Sequence, residues 1–442
     1  MTLRIAYGAE EARRTILKRQ TASEPELGEA GKALTRTVFG EDLSAAAAVQ
    51  RIIRDVRNEG DAAVRRYCEA FDGGANDPFE IPASEIDAAW HSIEPELREA
   101  LEFAAGRVRR YHEGQLKRVL ASYIDDGLGV QVRPIETVGL YAPGTVAVYP
   151  SSVIHTIVPA KVAGVKSAVL VSPAARDGKI PAIKLAAAAI SGADRVFAAS
   201  GAQAVAALAY GTESFPRVDK ICGPGNIFVT LAKRAVFGDV GIDSLYGPTE
   251  TVVVADETAD PGLCAVDLIA QAEHDEIASP IFITSSQQLL DKVAVELETR
   301  LATLPRGETA RAAFANRGGA VLASSIEEAV ELASEYGPEH MCILAKDARR
   351  LMPLVKNAGG IFLGDGSPEA IGDYTAGPSH VMPTGGAARF ASPLSVQDFL
   401  KFSSVIDLTS DGVFDLGPAG AIIAKAEGLH GHARAIEERL PR

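Results

Sequence analysis

The sequence predicts an α/β fold made of two Rossmann-like lobes with parallel-rich sheets, preceded by a helical N-terminal arm and followed by a C-terminal tail. A chain of 442 residues exceeds what one hydrophobic core usually supports, so we expect two main lobes. Short apolar runs alternate with alanine-rich helical stretches from 138 to 223, and the alternation resumes after Gly247. Parallel sheets covered by helices have this pattern.

The predicted elements follow in order along the chain. Ser44 is suited to cap a helix whose apolar residues recur at i, i+3, i+4 and i+7 up to Gly60, and a second helix runs from Asp61 to about Phe71. In the next lobe we expect strands at 138–141, 167–174, 195–200 and 220–223 and helices at 183–190 and 202–210.

A glycine-rich junction at 241–250 leads into the second alternating region. Its expected strands lie at 250–256, 279–286, 318–324, 341–347 and 359–365. Helices are expected up to about Glu273 and from about Ile326. Residues 366–390 are rich in glycine, proline, serine and threonine, which indicates a loop. Residues 419–440 are expected to form a final helix that Gly428 and Gly431 interrupt.

Composition and charge exclude several classes of partner. The net charge of −14 argues against binding to nucleic acid or to an anionic membrane, and a basic run at 107–118 is expected to be a solvated helix face. The four cysteines are dispersed and lack C-x-x-C spacing, so we expect reduced thiols in a cytoplasmic protein. We find neither a secretory leader nor an apolar run long enough for a membrane span.

The placement of the histidines carries the chemistry. Four of the eight histidines lie a short step from a carboxylate or amide, in the pairs Gln271/His274, Glu339/His340, Asp373/His380 and Glu427/His432. Imidazole, carboxylate and amide oxygen serve in borderline metal sites and in proton transfer near neutral pH. An enzyme is therefore the first hypothesis, and His91, His112 and His155 are expected to be structural or on the surface.

Each pair also has a plainer interpretation. Gln271 and His274 share a helix stripe with Asp267, which could converge on an ion or simply face solvent. Glu339 and His340 lie at a helix-to-strand corner and could form a proton relay or an ordinary polar turn. Asp373 and His380 lie in the predicted loop, whose glycines and proline fix its backbone. This pair could form part of a site or belong to an ordinary loop.

The pair in the tail and the possible nucleotide site are harder to interpret. Glu427 and His432 lie about 140° apart on an ideal helix, so they share a site only if the glycines break that helix or the two play separate roles. Tyr141, Gln203 and Asn226 lie at or near strand ends, where an α/β lobe presents ligands. The chain has only the opening of a dinucleotide glycine motif, at 223–228.

Taken together, these motifs resemble those of histidinol dehydrogenases, a zinc-dependent family that ends histidine biosynthesis. The resemblance covers nearly the whole chain and is carried by the segments at 56–72, 141–165, 201–212, 223–229, 247–250, 270–275, 337–340, 372–384, 388–401 and 427–432. Thr249 stands where many members have serine, which keeps the hydroxyl and adds a methyl group. Two further departures from the family pattern are GPSH before Val381 and Tyr246 before GPTE.

The resemblance implies roles for individual residues. One zinc per subunit would be held by Gln271, His274, Asp373 and His432, with His432 reaching across from the partner of a homodimer. Glu339 and His340 match the proton-transfer pair. The substrate would contact the four zinc ligands and Glu339, together with Thr249, His380 and Glu427. Tyr141, Gln203 and Asn226 match NAD-contacting positions.

The resemblance also implies a division of the chain and a reaction. We expect an arm at 1–34, a zinc and catalytic lobe from 35–140 and 250–393, an NAD lobe at 141–249 and a dimerisation tail at 394–442. The reaction would be the four-electron oxidation of histidinol to histidine with two NAD. Three alternatives are a same-fold zinc dehydrogenase of another small polar alcohol such as a sulfonated diol, a metal-dependent hydrolase with Glu339 as base, and a silent zinc-stabilised assembly protein.

Overall fold

The computed structural model describes residues 3–19, 29–144, 148–175 and 178–440, and it has the predicted α/β class. Residues 1–2 and 20–28 of the predicted N-terminal arm lie outside the described residues. The described strands are β1 Ile5–Tyr7, β2 Tyr123–Asp125, β3 Leu128–Pro134, β4 Thr137–Tyr141, β5 Ser167–Ser172, β6 Arg195–Ala198, β7 Lys220–Cys222, β8 Gly241–Ile242, β9 Glu250–Ala255, β10 Ser279–Thr284, β11 Gly319–Leu322, β12 His340–Leu344, β13 Gly360–Leu363 and β14 Leu400–Ile406.

The helices cover both large sheets and extend into the tail. They are α1 Ala9–Arg14, α2 Glu29–Phe39, α3 Ala45–Glu59, α4 Asp61–Asp72, α5 Ala83–Ser92, α6 Pro95–Leu116, α7 Pro150–Ala163, α8 Ala182–Ser191, α9 Gly201–Tyr210, α10 Ile227–Val236, α11 Pro261–Ala272, α12 Gln287–Leu301, α13 Gly307–Asn316, α14 Ile326–Tyr336, α15 Ala348–Leu351, α16 Glu369–Tyr374, α17 Ser410–Ala426 and α18 His430–Glu437. Short 3-10 turns lie at Met352–Leu354, Ala387–Arg389 and Val396–Phe399.

Two parallel sheets organise the molecule. The six-stranded sheet has the order β1-β11-β10-β9-β12-β13, and the five-stranded sheet has the order β6-β5-β4-β7-β8. In each sheet, the strands that follow the central strand, β4 or β9, are first added on one side of it, and later strands are added on its other side. That reversal creates a switch point between β4 and β7 in one sheet and between β9 and β12 in the other. Each sheet has a buried apolar core on both faces.

The sequence signals for the first helices and for the parallel strands are confirmed. The Ser44 hydroxyl accepts a hydrogen bond from the amide of Ala47, and Gly60 ends α3 with a φ of 58°. Strand β9 is buried at all six positions, as expected for a parallel strand covered on both faces.

The structure departs from the sequence expectations in the arm and the tail. Residues 5–7 of the arm form β1, which pairs with β11, so the arm is not wholly helical. The helix of the tail begins at Ser410 rather than at 419. It is interrupted near Gly428, which has a φ of 76°, whereas Gly431 lies inside α18 and does not interrupt that helix. Strands β2, β3 and β14 form an antiparallel sheet that the sequence did not indicate.

Two further expectations need correction. The predicted loop at 366–390 contains α16, whose last turn carries Asp373. In the basic run, Arg107 is half-buried and donates hydrogen bonds to the carbonyls of Thr375 and Ala376, so this face is not simply solvated.

The helices of 45–116 pack differently from the predicted division of the chain. The sequence groups residues 35–140 with 250–393, whereas the cores that contain these helices lie on the five-stranded sheet. That sheet also begins at Thr137 rather than after residue 140. Helices α3 to α6 therefore belong structurally with the five-stranded lobe.

Candidate active site

A cluster of polar side chains lies at the amino edge of the six-stranded sheet. Thr249 directly precedes β9, and Glu339 directly precedes β12, which begins at His340. Strand pairing places His340 beside Thr251. Helix α11 follows β9 and returns antiparallel to it, so its last turn brings Gln271 to the same edge. Asp267 and Gln271 are 7% and 3% exposed, so these two residues of the predicted stripe face the protein interior, whereas His274 is exposed.

The main chain of one residue, Glu250, contacts both members of the Glu339–His340 pair. Its amide donates to Oε2 of Glu339 at 3.2 Å, and its carbonyl lies 3.2 Å from Nδ1 of His340. A carbonyl only accepts, so Nδ1 carries the hydrogen and Nε2 of a neutral ring keeps its lone pair. Among the described residues, this buried Nε2 has no hydrogen-bond partner within normal reach. The Nε2 atom is therefore the basic atom of the pair.

Burial and neighbouring charge shift both members of the pair. Burial raises the pKa of Glu339 to about 7, which places its protonation change near neutral pH. For His340, burial opposes the charged form, but the nearby carboxylates of Glu339, Asp373 and Glu369 outweigh it and raise the pKa. The site therefore holds two buried titratable groups whose pKa values both lie above their usual ranges.

Thr249, Gln271 and Asp373 link this pair to a group of metal-type donors. The Thr249 hydroxyl lies 2.7 Å from Oε2 of Glu339 and 2.9 Å from Oε1 of Gln271. The Gln271 amide nitrogen donates to Oδ2 of Asp373 at 3.1 Å. Oδ1 of Asp373 lies 3.6 Å from Nε2 of His340. The imidazoles around Asp373 lower its pKa although burial opposes this shift.

His274 and His380 connect the cluster to the other lobe. The exposed His274 ring stacks on Tyr149 with ring centroids 6.5 Å apart. Nδ1 of His380 lies 2.9 Å from the carbonyl of Asp373, and its Nε2 lies 3.2 Å from the Ser152 hydroxyl. Tyr149 and Ser152 begin α7, which follows the carboxyl end of β4. The carboxyl edge of the five-stranded sheet thus meets the amino edge of the six-stranded sheet.

Sequence reasoning missed the role of His155. This buried ring stacks on His380 with centroids 4.4 Å apart, and its Nδ1 accepts a hydrogen bond from the His380 amide at 3.2 Å. Burial holds its pKa well below the usual range, so the ring is neutral. No spacing pattern joins His155 to His380, because more than two hundred residues separate them.

Comparison with known proteins identifies the family. The sequence profile described as histidinol dehydrogenase matches residues 36–440. The histidinol dehydrogenase of Deinococcus radiodurans is 47% identical over 441 residues, which cover 99% of this chain and 100% of that protein. The enzyme of the same name from Dehalococcoides mccartyi is 48% identical over 89% of this chain and 90% of its own length. The chain belongs to the histidinol dehydrogenase family.

A solved structure agrees with this assignment. The crystal structure of histidinol dehydrogenase from Elizabethkingia anophelis superposes with a TM-score of 0.88 at 29% identity, covering 99% of this chain and 98% of that one. A member of the histidinol dehydrogenase family is an oxidoreductase that acts on an alcohol or aldehyde of a small molecule. This finding sets aside the hydrolase and the silent assembly protein. In the part of the chain that the structure describes, no helix is both long and apolar enough to cross a membrane.

The three residues expected to contact the nucleotide lie at the carboxyl edge of the five-stranded sheet. Tyr141 ends β4, and its hydroxyl accepts a hydrogen bond from the amide of Gly201 at 3.1 Å. Gln203 is 1% exposed, and its Oε1 has no hydrogen-bond partner among the described residues. Asn226 is exposed and caps α10 through its side-chain oxygen. Their part in nucleotide binding stays a prediction.

Glu427 and His432 are not brought to this cluster within one chain. Both side chains are exposed on the hairpin formed by α17 and α18, and no hydrogen bond or ion pair between described residues joins either of them to the cluster. Among the described residues, no three histidine, cysteine, aspartate or glutamate side chains come together as a metal site. The metal-ligand roles of Gln271, His274, Asp373 and His432 stay a prediction.

Proposed function

We propose that this protein is a histidinol dehydrogenase that oxidises L-histidinol to L-histidine through histidinal, at the last step of histidine biosynthesis, with two NAD used in turn. The observation that carries the proposal is the shared support of Glu339 and His340 by the main-chain amide and carbonyl of Glu250. An alcohol oxidation followed by an aldehyde oxidation needs one base for each step, and the two bases must serve the same carbon atom.

His340 suits the first step. Its Nε2 would take the hydroxyl proton of the alcohol as hydride leaves the same carbon, which gives the aldehyde. The Glu250 carbonyl fixes the ring orientation, and the neighbouring carboxylates stabilise the imidazolium that forms. The proton must then pass to solvent before the next cycle.

Glu339 suits the second step. Its carboxylate would remove a proton from water as the water oxygen adds to the aldehyde carbon, which gives a hydrate. Loss of a second hydride and a proton from this hydrate gives the carboxylic acid. Because burial raises its pKa to about 7, Glu339 is a stronger base than an exposed carboxylate.

The donor set around Asp373 fits a zinc ion held by Gln271, His274, Asp373 and His432 of the partner subunit. The Thr249 hydroxyl has one hydrogen but faces two acceptors, Oε1 of Gln271 and Oε2 of Glu339. With its amide turned over, Gln271 would donate to Thr249 and direct its oxygen to the side of Asp373. Bound zinc would supply Lewis acidity that orients the substrate's nitrogen and oxygen atoms.

The five-stranded lobe is the proposed NAD lobe. Tyr141 and Asn226 lie on either side of the switch point between β4 and β7, where α/β sheets bind ligands. Bound NAD would accept the hydride. Contacts of α7 with His274 and His380 support a nucleotide that lies close to the proposed substrate site.

The tail is the proposed dimerisation element. Helices α17 and α18 pack on each other, and α17 exposes large apolar side chains, with Ile422 69% and Ile423 59% exposed. Strand β14 adds Phe402 and Ile406, which are 48% and 73% exposed. Burial of such a surface against a second copy would place His432 and Glu427 at the partner's site. The cysteines, all buried and free, fit the proposed cytoplasmic location.

The stoichiometry of the reaction tests the proposal. We expect two NADH formed for each L-histidinol consumed, measured by absorbance with the alcohol limiting and histidine quantified at the end. One NADH for each alcohol, with the aldehyde as final product, would instead indicate a simple alcohol dehydrogenase. Lack of turnover with histidinol, but turnover with another small polar alcohol, would reassign the substrate.

A further inference from the structure

The N-terminal segment reaches the support of the active site through Arg19. This segment forms β1 and α1 beside the six-stranded sheet, and it precedes the residues 36–440 that match the family profile. We propose that Arg19 is a positioning residue that holds the Glu339–His340 pair through Glu250. The inference rests on the proposed function, because its readout is the oxidation of histidinol.

Arg19 and Glu250 form a two-pronged ion pair. Nη1 of Arg19 donates to Oε1 of Glu250 at 2.6 Å, and Nη2 donates to Oε2 at 2.9 Å. The two side chains are 26% and 7% exposed, so little water competes for these bonds. The remaining donor to this carboxylate among the described residues is the amide of Gly385, at 3.1 Å. Arg19 therefore fixes where the Glu250 side chain lies.

The main chain of Glu250 transmits this constraint to the catalytic pair. Glu250, whose side chain is bound by Arg19, also donates its main-chain amide to Glu339 and directs its carbonyl to His340. A shift of Glu250 would therefore displace both side chains together. Arg19 itself touches neither of them and acts through this one residue.

Arg19 also holds the turn that leads into Glu339. Its Nε and Nη2 donate to the carbonyl of Tyr336 at 2.9 and 2.7 Å, and Nη2 also donates to the carbonyl of Gly337 at 3.2 Å. The guanidinium carbon lies 3.8 Å from the centre of the Tyr336 ring. The planar guanidinium thus links two segments that support the Glu339–His340 pair, the start of β9 and the turn between α14 and β12. A lysine ammonium has no matching fork of donors.

Steady-state kinetics of Arg19→Ala and Arg19→Lys test this role. We expect kcat for histidinol to fall by about 10- to 100-fold in Arg19→Ala, since displacement of catalytic groups by about 1 Å costs up to this much. KM should stay within about twofold, because no substrate contact is lost. Guanidinium ion at millimolar concentration should restore part of kcat, whereas the same concentration of sodium ion should not.

Arg13→Ala is the matched control. Arg13 lies in the same segment and pairs with Glu335, but both side chains are half exposed, at 51% each, and neither touches Glu250. Its kcat should match that of the wild type. If Arg19→Ala does not fold, Arg19→Lys decides the question, with the same expected loss of kcat for folded protein.

Three outcomes would overturn the inference. They are a wild-type kcat in a folded Arg19 variant, a loss confined to KM, and a folded Arg19→Ala enzyme whose kcat guanidinium does not restore. An inactive wild-type enzyme would refute the proposed function instead. An active wild type with indifferent Arg19 variants would refute this inference alone.

Discussion

Asp243→Asn should destabilise the five-stranded lobe strongly, because it breaks a buried ion pair that organises the loop at 223–226, the GPGN loop. The side chains of Lys233 and Asp243 are 1% and 2% exposed and are in direct contact. The Asp243 carboxylate also accepts hydrogen bonds from the amides of Gly223 and Ser244 and from the Tyr246 hydroxyl. The substitution keeps the shape of the side chain and removes its charge.

The expected cost follows from what remains around Lys233. Without the carboxylate, its ammonium keeps the Gly223 carbonyl at 3.0 Å and the face of Tyr246, whose ring centre is 4.7 Å away. Neither carries a full negative charge. Breaking a buried pair by removing one partner typically costs about 3–5 kcal/mol, a large part of the roughly 5–15 kcal/mol that stabilises a folded domain. Because Gly223 begins the GPGN loop, NAD affinity should fall as well.

Urea unfolding followed by tryptophan fluorescence measures this cost directly. The single tryptophan, Trp90 on α5, packs against a core of the five-stranded sheet, so its signal follows the affected lobe. Glu296→Gln is the control, because it removes an exposed pair with Arg300 and should cost at most about 0.5 kcal/mol. A loss below about 1 kcal/mol in Asp243→Asn would refute the reasoning, since Lys233 would then have found another partner.

The remaining predictions concern the chemistry. Metal analysis should find one zinc for each subunit, and a chelator should abolish activity until zinc is returned; full activity in zinc-free protein would contradict the ligand assignment. Glu339→Gln should slow histidinal oxidation far more than histidinol oxidation, and equal losses would remove the division of labour. In the wild type the histidinal step should weaken as the pH falls through about 7, because burial raises the pKa of Glu339 and protonation removes the base. Mixed His340→Ala and His432→Ala chains should recover about a quarter of wild-type activity, since half the dimers are mixed and each has one intact site. No recovery despite subunit exchange would mean that His432 serves its own chain or is not a ligand.

The parallel strands could be predicted because burial on both faces leaves a continuous apolar run. Strand β9 is such a run, and its neighbours β10 and β12 are also buried throughout. The antiparallel sheet of β2, β3 and β14 lacks this signature, because its strands are mostly exposed in the single chain. Residues such as Leu128 and Ile406 resemble neither a core strand nor a polar edge.

The candidate site was predictable where its residues lie close together in the sequence or on one helix face. Gln271, for example, lies in the last turn of α11 and His274 lies two residues after that helix ends, so the short spacing keeps both at one corner of the fold. The supporting residues carry no such signal. Arg19 is 231 positions from Glu250, and Ser152 is 228 positions from His380, so only the folded topology brings them together.

The placement of the proposed catalytic pair also runs against the usual rule for α/β sheets. That rule would place the ligand of the six-stranded sheet at its carboxyl edge, between β9 and β12. Glu339 and Thr249 lie at the opposite, amino edge. The carboxyl edge of the five-stranded sheet meets that amino edge through α7. A nucleotide bound to the five-stranded sheet would therefore face an alcohol bound at the six-stranded sheet. The proposed function therefore depends on the place where the two sheets meet, and neither sheet alone would indicate it.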